Sequence, residues 1–278
     1  MEPQVPATLT DLPRHRARLE AACRAAMEDP DVVGMALGGS FAQGRPDEYS
    51  DLDLKIVVED ESFDRALGRR RELAEACGHV VAAFTGGHVG EERMLITLYD
   101  DLLHVDFLVV GLSDLAEQNH GRTVHVLWER DGRLSQVLPG EPAHDPAADL
   151  EWMEARMWTW VWYTHSKILR GELYEAIDAL NVVRGWVLFR LTALRAGEPT
   201  RGARFAEERI GDRADEFART VAGPRDREPL LEGLRASVRL YLEMADPLLE
   251  RHDLEKAHEA RAVVLEALER GLAWSPGN

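Results

Sequence analysis

The sequence predicts an α+β protein: a mixed sheet with flanking helices over residues 1–140, followed by an all-helical bundle over residues 147–278. Three observations carry this reading. Short apolar runs with a period of two, separated by turn residues, are confined to the first half. The run Pro-Gly-Glu-Pro-Ala-His-Asp-Pro at 139–146 reads as a linker. Beyond it strand signals vanish and apolar residues recur at the helical spacing.

Element by element, residues 12–28 read as a helix whose Leu19, Ala22, Cys23 and Ala26 recur near the 3.6 period before Asp29-Pro30 stops it. Residues 32–37 form an apolar strand that delivers the chain to Gly38-Gly39. A short helix and turn are expected at 41–44. In the strand 50–58, Asp51, Asp53 and Lys55 share one face, while Leu52, Leu54 and Ile56 face the core. An amphipathic helix at 62–77, a strand at 80–84 and a loop at 85–88 follow. Strands 94–99 and 103–110 make a hairpin around Asp100-Asp101, and 124–128 is a further strand. In the second half, helices are expected at 150–169 with Gly171 as C-cap, from Glu172 onward with Leu173, Ile177, Leu180, Val187 and Leu191 as its stripe, and at 206–221, 229–250 and 254–273.

The 278 residues suffice for two cores, and 30% charged with 45% hydrophobic residues describes an ordinary globular chain. A net charge of −17 argues against a general nucleic-acid binder and suits a small or cationic partner. Cys23 and Cys77 are isolated and indicate neither a disulfide framework nor a zinc site. Residues 1–10 lack a leader pattern, and no stretch approaches the ~18 apolar residues of a membrane span, so a cytoplasmic location is expected.

The most informative residues are Gly38-Gly39-Ser40 and, ten residues after the serine, Ser50-Asp51-Leu52-Asp53. A Gly-Gly-Ser turn brings bare backbone N–H groups to a phosphate, and an Asp-x-Asp on a strand turns two carboxylates to one side. Asp106, opposite the core residues of its own strand, supplies a third. A polyphosphate cradle beside a cluster of carboxylates is what metal-assisted transfer from a nucleoside triphosphate requires. The alternative reading of the three acids is a solvated rim.

These residues resemble the polymerase-beta-like nucleotidyltransferase superfamily, over about the first 110 residues. Gly39 to Gly44 through Tyr49-Ser50-Asp51 looks like its antibiotic-modifying branch. Lys167 to Tyr174 with Leu180-Asn181-Val182-Val183-Arg184 is similar to the helical domain of streptomycin 6-adenylyltransferases, and a shorter Arg-Gly-Glu version to lincosamide nucleotidyltransferases. The resemblance implies that Gly39 and Ser40 hold the β- and γ-phosphates, that Asp51 and Asp53 hold the Mg²⁺ carried by ATP or another NTP, and that Asp106 joins them around a second ion near the acceptor hydroxyl. It also implies a small-molecule acceptor, an aminoglycoside or lincosamide, and a possible homodimer through the helical domain. A protein acceptor, as in short antitoxin-like enzymes, and a non-catalytic nucleotide-binding module are the alternatives.

Glu172 is the candidate general base, against the plainer role of favouring a helix N-terminus; Glu91 and Glu92 are reserves. Lys167 and Arg170 are candidates for neutralising the leaving pyrophosphate, against simple complementing of a helix C-terminus. Trp152, Trp158, Trp160, Trp162 and Tyr163 crowd one helix, as core or dimer packing or as a stacking wall. His104 reads as a structural hydrogen-bonder.

Overall fold

The computed structural model describes residues 3–115, 123–138, 144–198, 202–221 and 223–271. The chain divides into two compact units, Met1–Ala143 and His144–Asn278. Residues 139–143 of the expected linker lie outside the described residues.

In the first unit, helix α1 (Pro13–Glu28) starts with proline at its first turn and buries Leu19, Ala22, Cys23 and Ala26. Strand β1 (Val32–Leu37) is buried throughout. A single helical turn, α2 (Gly39–Ala42), leads to β2 (Leu52–Val58). Helix α3 (Phe63–Ala76), strands β3 (Val80–Gly86), β4 (Glu91–Tyr99), β5 (His104–Gly111) and β6 (His125–Glu129), and a five-residue helix α4 (Arg133–Val137) complete it. The sheet order is β3-β4-β5-β2-β1-β6. β2 and β5 run parallel in the middle, and the other neighbours are antiparallel.

One face of this sheet packs Leu52, Leu54, Ile56 and Phe107 against α1 and α3. The opposite face, which carries Asp53 and Lys55, is covered further along: Val33, Ala36, Val57, Val110 and Leu134 form a second small core there. Gly34 makes room for it, since a Cβ at that position would lie 2.4 Å from Leu134 Cδ1. The acidic face is therefore uncovered only towards the N-terminal ends of β2 and β5. Cys23 and Cys77 are buried free thiols, and burial pushes them up to about 12 and about 11.

The second unit is helical. Helix α5 (Pro146–Arg170) is capped by Asp145, whose Oδ1 accepts from the N–H groups of Ala147 and Ala148, and closes on Gly171 at φ +76°. Helix α6 (Leu173–Val183) passes through a π segment (Arg184–Leu188) into α7 (Phe189–Arg195), so Leu180, Val183, Val187 and Leu191 continue one buried stripe. Helices α8 (Ala206–Ile210) and α9 (Ala214–Thr220) precede α10 (Arg227–Arg251) and α11 (His258–Arg270).

Several element boundaries differ from the sequence reading: β4 starts at Glu91 rather than 94, and α5 at Pro146 rather than 150. The stretch 206–221 is two helices joined by a 3-10 turn, because Gly211 takes φ +56° and interrupts the first. The last helix starts at His258 rather than 254, and residues 272–278 lie outside the described residues. The turn after β1 is helical from Gly39, two residues early. β3 extends through Thr85 and Gly86, where the sequence predicts a loop.

A buried ionic knot fixes the bundle. Glu154, 5% exposed on α5, accepts from Arg261 Nε and Nη2 (both 2.8 Å), Trp158 Nε1 (3.1 Å), the Ala257 N–H (2.9 Å) and the Tyr241 hydroxyl. Arg261 Nη1 also donates to Asp246 Oδ1 at 2.7 Å. Burial alone would raise the Glu154 carboxyl; the donors from Arg261, Tyr241, Ala257 and Trp158 outweigh it and hold it at about 2. Of the tryptophans on α5, Trp158 is fully buried edge-to-face against Tyr241, while Trp152, Trp160 and Trp162 pack at the core's margin.

Candidate nucleotidyl-transfer site

The turn after β1 is clamped onto β2. The Gly38 N–H donates to the Asp53 carbonyl at 2.8 Å. Gly39 sits at φ +60°, and a Cβ there would lie 1.8 Å from Asp53 Oδ2. Only glycine satisfies both the left-handed backbone and this close approach. Next to it, the Ser40 side chain is 3% exposed and its Oγ has no hydrogen-bond partner among the described residues. An orphaned buried hydroxyl is costly unless something outside the chain satisfies it, and a phosphate oxygen does so.

Asp53 and Asp106 are direct register partners on the parallel strands β2 and β5. Side-chain alternation therefore puts both on the same sheet face, with Asp51 at the mouth of β2. His104 Nε2 lies 2.8 Å from Asp106 Oδ1. The Asp106 hydrogen bond, aided by the charges of Asp106, Asp51 and Asp53 and against partial desolvation, raises the imidazole above its usual value. All three carboxylates are thus felt at His104.

Three carboxylates without a thiolate suit a hard, oxygen-seeking dication. Among the described residues, however, no three ligating groups converge into a ready-made cage. Mg²⁺ in general is held by one or two carboxylates together with the phosphates of its substrate. The orphaned Ser40 hydroxyl and the side-chain-free approach at Gly39 offer those phosphates a place beside Asp53.

Both reserve acids of the first unit are engaged. Glu91 makes a two-pronged pair with Arg93 (2.7 and 2.8 Å), which lowers its carboxyl, and Glu92 accepts from Thr85 Oγ1 at 3.0 Å. Lys55, on the acidic face, is 8% exposed.

Lys167, Arg170 and Glu172 belong to the second unit and come together there. Lys167 Nζ lies 2.6 Å from Glu172 Oε2, and Arg170 Nη2 lies 2.6 Å from Glu172 Oε1. The Lys167 hydrogen bond lowers the Glu172 carboxyl, and Glu172 raises the Lys167 ammonium. Glu172 is the N-cap of α6 without a side-chain capping bond. Tyr163 donates to Glu175 Oε1 at 2.6 Å beside them. The paired state of these three residues carries no signal in the sequence beyond their proximity.

Replacing Gly39 by alanine is expected to displace the Asp53 carboxylate and reduce transfer at least about tenfold, since the Cβ and the carboxylate oxygen cannot share that space. Steady-state pyrophosphate release, with circular dichroism as folding control, tests it. A variant as active as the parent would remove Asp53 from the site.

A six-stranded mixed sheet presenting a glycine turn and a carboxylate pair on its two central parallel strands is the arrangement of a nucleotidyl-transfer domain. Residues 20–85 match the family model described as a nucleotidyltransferase domain, which spans β1, the glycine turn and β2. The first unit carries a nucleotidyltransferase domain. No curated protein matches the chain. Among solved structures, the chain is similar to an aminoglycoside 6-adenyltransferase from Bacillus subtilis (17% identity, 93% of this chain and 99% of that one, TM-score 0.42). It is also similar to a nucleotidyltransferase-like protein from Exiguobacterium sibiricum (15% identity, 94% and 88%, TM-score 0.39). No helix among the described residues is long and apolar enough to cross a membrane.

Proposed function

We propose that the protein transfers AMP, or another nucleoside monophosphate, from a triphosphate to a hydroxyl of a small molecule, an aminoglycoside or lincosamide antibiotic. The observation that carries this reading is the register pair Asp53–Asp106 beside a glycine turn whose Cα abuts the Asp53 carboxylate. Gly39 and Ser40 bind the β- and γ-phosphates. Asp51, Asp53 and Asp106 hold the divalent ion, which supplies charge neutralisation on the triphosphate and on the attacking oxygen. The acceptor oxygen bonds to the α-phosphorus, the bond from that phosphorus to the β-phosphate oxygen breaks, and pyrophosphate leaves with the electron pair. The hydroxyl proton passes to a carboxylate, for which Glu172 is the candidate. Its carboxyl is held low by Lys167 and Arg170. The net charge of −17 favours a cationic acceptor.

The test is incubation with Mg²⁺, each of the four NTPs, and a panel of aminoglycosides and lincosamides, with pyrophosphate and acceptor mass read together. Acceptor-dependent pyrophosphate with a mass gain of one nucleoside monophosphate is expected. Nucleotide binding without any modified acceptor on the panel would overturn the antibiotic assignment. Glu172→Gln is expected to lower kcat about 10²-fold or more if Glu172 is the base; an unchanged kcat would exclude it.

A further inference from the structure

Strand pairing sets four side chains in one row across the sheet. Phe84 on β3 pairs with Ile96 on β4, Ile96 with Asp106 on β5, and Asp106 with Asp53 on β2. Register partners on adjacent strands project to the same side, so Phe84 shares the face of the carboxylates. With neighbouring strands roughly 4.8 Å apart, the Phe84 Cα stands about 10 Å from that of Asp106, two strands away.

The far end of this row is an aromatic ring standing in water. Phe84 is 55% exposed, while Ile96 lies buried between it and Asp106, so no polar side chain interrupts the row on β4. The Phe84 ring meets that of His88 at 5.6 Å between centroids, tilted by 48°. His88 sits in the single 3-10 turn Gly87–Val89, which Gly90 closes at φ +77° before the chain enters β4. Ala82, two residues back on the same face, is exposed and too small to cover the ring. The surroundings are uncharged: residues 76–90 are the longest run of the chain without Asp, Glu, Lys or Arg, where 30% of all residues are charged.

The chemistry gives the row a direction. The glycine turn follows β1 and abuts Asp53, which puts the β- and γ-phosphates at the β1–β2 end. In-line displacement requires the attacking oxygen on the side of the α-phosphorus opposite the leaving pyrophosphate. An acceptor that brings its hydroxyl to Asp106 from that opposite side lies over β4 and β3. Its body passes over Ile96 and reaches Phe84, at a distance that a reacting ring and its neighbour span together.

We propose, on the basis of the nucleotidyl-transfer reading, that Phe84 is a specificity-determining residue of the transfer. It stacks against the C–H face of a ring next to the reacting hydroxyl, and His88 holds the aromatic plane in place. The edge strand β3 thereby selects acceptors by ring shape and apolar face, not by charge. A hydroxylated molecule too short to reach β3 forfeits the contact.

The experiment measures binding and turnover on the full chain, with circular dichroism as folding control. Kanamycin, streptomycin and lincomycin are the ring-bearing probes. Titration calorimetry reads their binding, and a fluorescent ATP analogue with Mg²⁺ reads nucleotide binding separately. Phe84→Ala is expected to weaken the best-bound probe about tenfold, with the loss in KM rather than kcat and no change in nucleotide affinity. Phe84→Leu, apolar but without a ring face, is expected to behave like Phe84→Ala, and Phe84→Tyr like the parent. The proposal is overturned if Phe84→Ala leaves acceptor binding and KM unchanged, if Phe84→Leu binds as tightly as the parent, or if Phe84→Tyr binds as poorly as Phe84→Ala. It is equally overturned if Phe84→Ala weakens the nucleotide instead, or if none of the three probes binds the parent protein while nucleotide does. Absence of nucleotide binding in the parent protein would overturn the transfer reading itself, and the proposal with it.

Discussion

Asp53→Asn lowers nucleotidyl transfer by about 10³-fold or more, equivalent to about 4 kcal/mol of lost transition-state stabilisation, with the fold intact. The substitution keeps the shape that packs against the Gly39 Cα but removes a charge that the reaction needs beside the triphosphate. It also removes one of the negative charges that raise His104. Pyrophosphate release at saturating Mg²⁺ gives the rate, and a fluorescent ATP analogue reports whether nucleotide still binds. A rate within threefold of the parent would show that the acidic sheet face is only a solvated rim.

Glu154→Leu destabilises the helical unit by about 3–5 kcal/mol, because it strands the Arg261 guanidinium in the bundle and leaves the Tyr241 hydroxyl and the Ala257 N–H short of an acceptor. Denaturant unfolding followed by far-UV circular dichroism measures it; a loss under 1 kcal/mol would mean the knot adds little beyond packing. The same carboxylate gives the unit an acid dependence. Its folded value of about 2 lies below the ordinary value of an unfolded glutamate, so its contribution is complete above that ordinary value. The contribution drains away as pH falls towards 2, and Glu154→Leu is expected to flatten that limb of the stability profile.

Strand alternation made much of the site readable. Once 50–58 was read as a strand, Asp51 and Asp53 had to share a face, and the apolar set of 103–109 forced Asp106 outward. The fold class was legible because strand and helix periods occupy separate halves of the chain. Other features depended on contacts between distant segments. Nothing local indicates that Gly34 admits Leu134 and so covers part of the sheet face that carries Asp53, since α4 is only five residues long. The engagement of His104 with Asp106 depends on side-chain rotation, and the pairing of Glu172 with Lys167 and Arg170 on how a helix end folds back. The break at Gly211 was missed because one glycine inside a helical pattern is usually tolerated. The clamp of Arg14 on the Glu48 and Asp101 carbonyls likewise joins residues 34 and 87 positions apart.

The ionic knot also bears on the order in which the chain acquires structure as it is made. Every strand pairing of the sheet joins residues between Val32 and Glu129, so the first unit has all its ladder partners once those residues have left the ribosome. Glu154 meets Arg261 only after a further 107 residues. Until then α5 carries an apolar stripe and an acid awaiting its counter-ion, so synthesis halted before residue 261 yields a finished sheet followed by a bundle without its central ion pair.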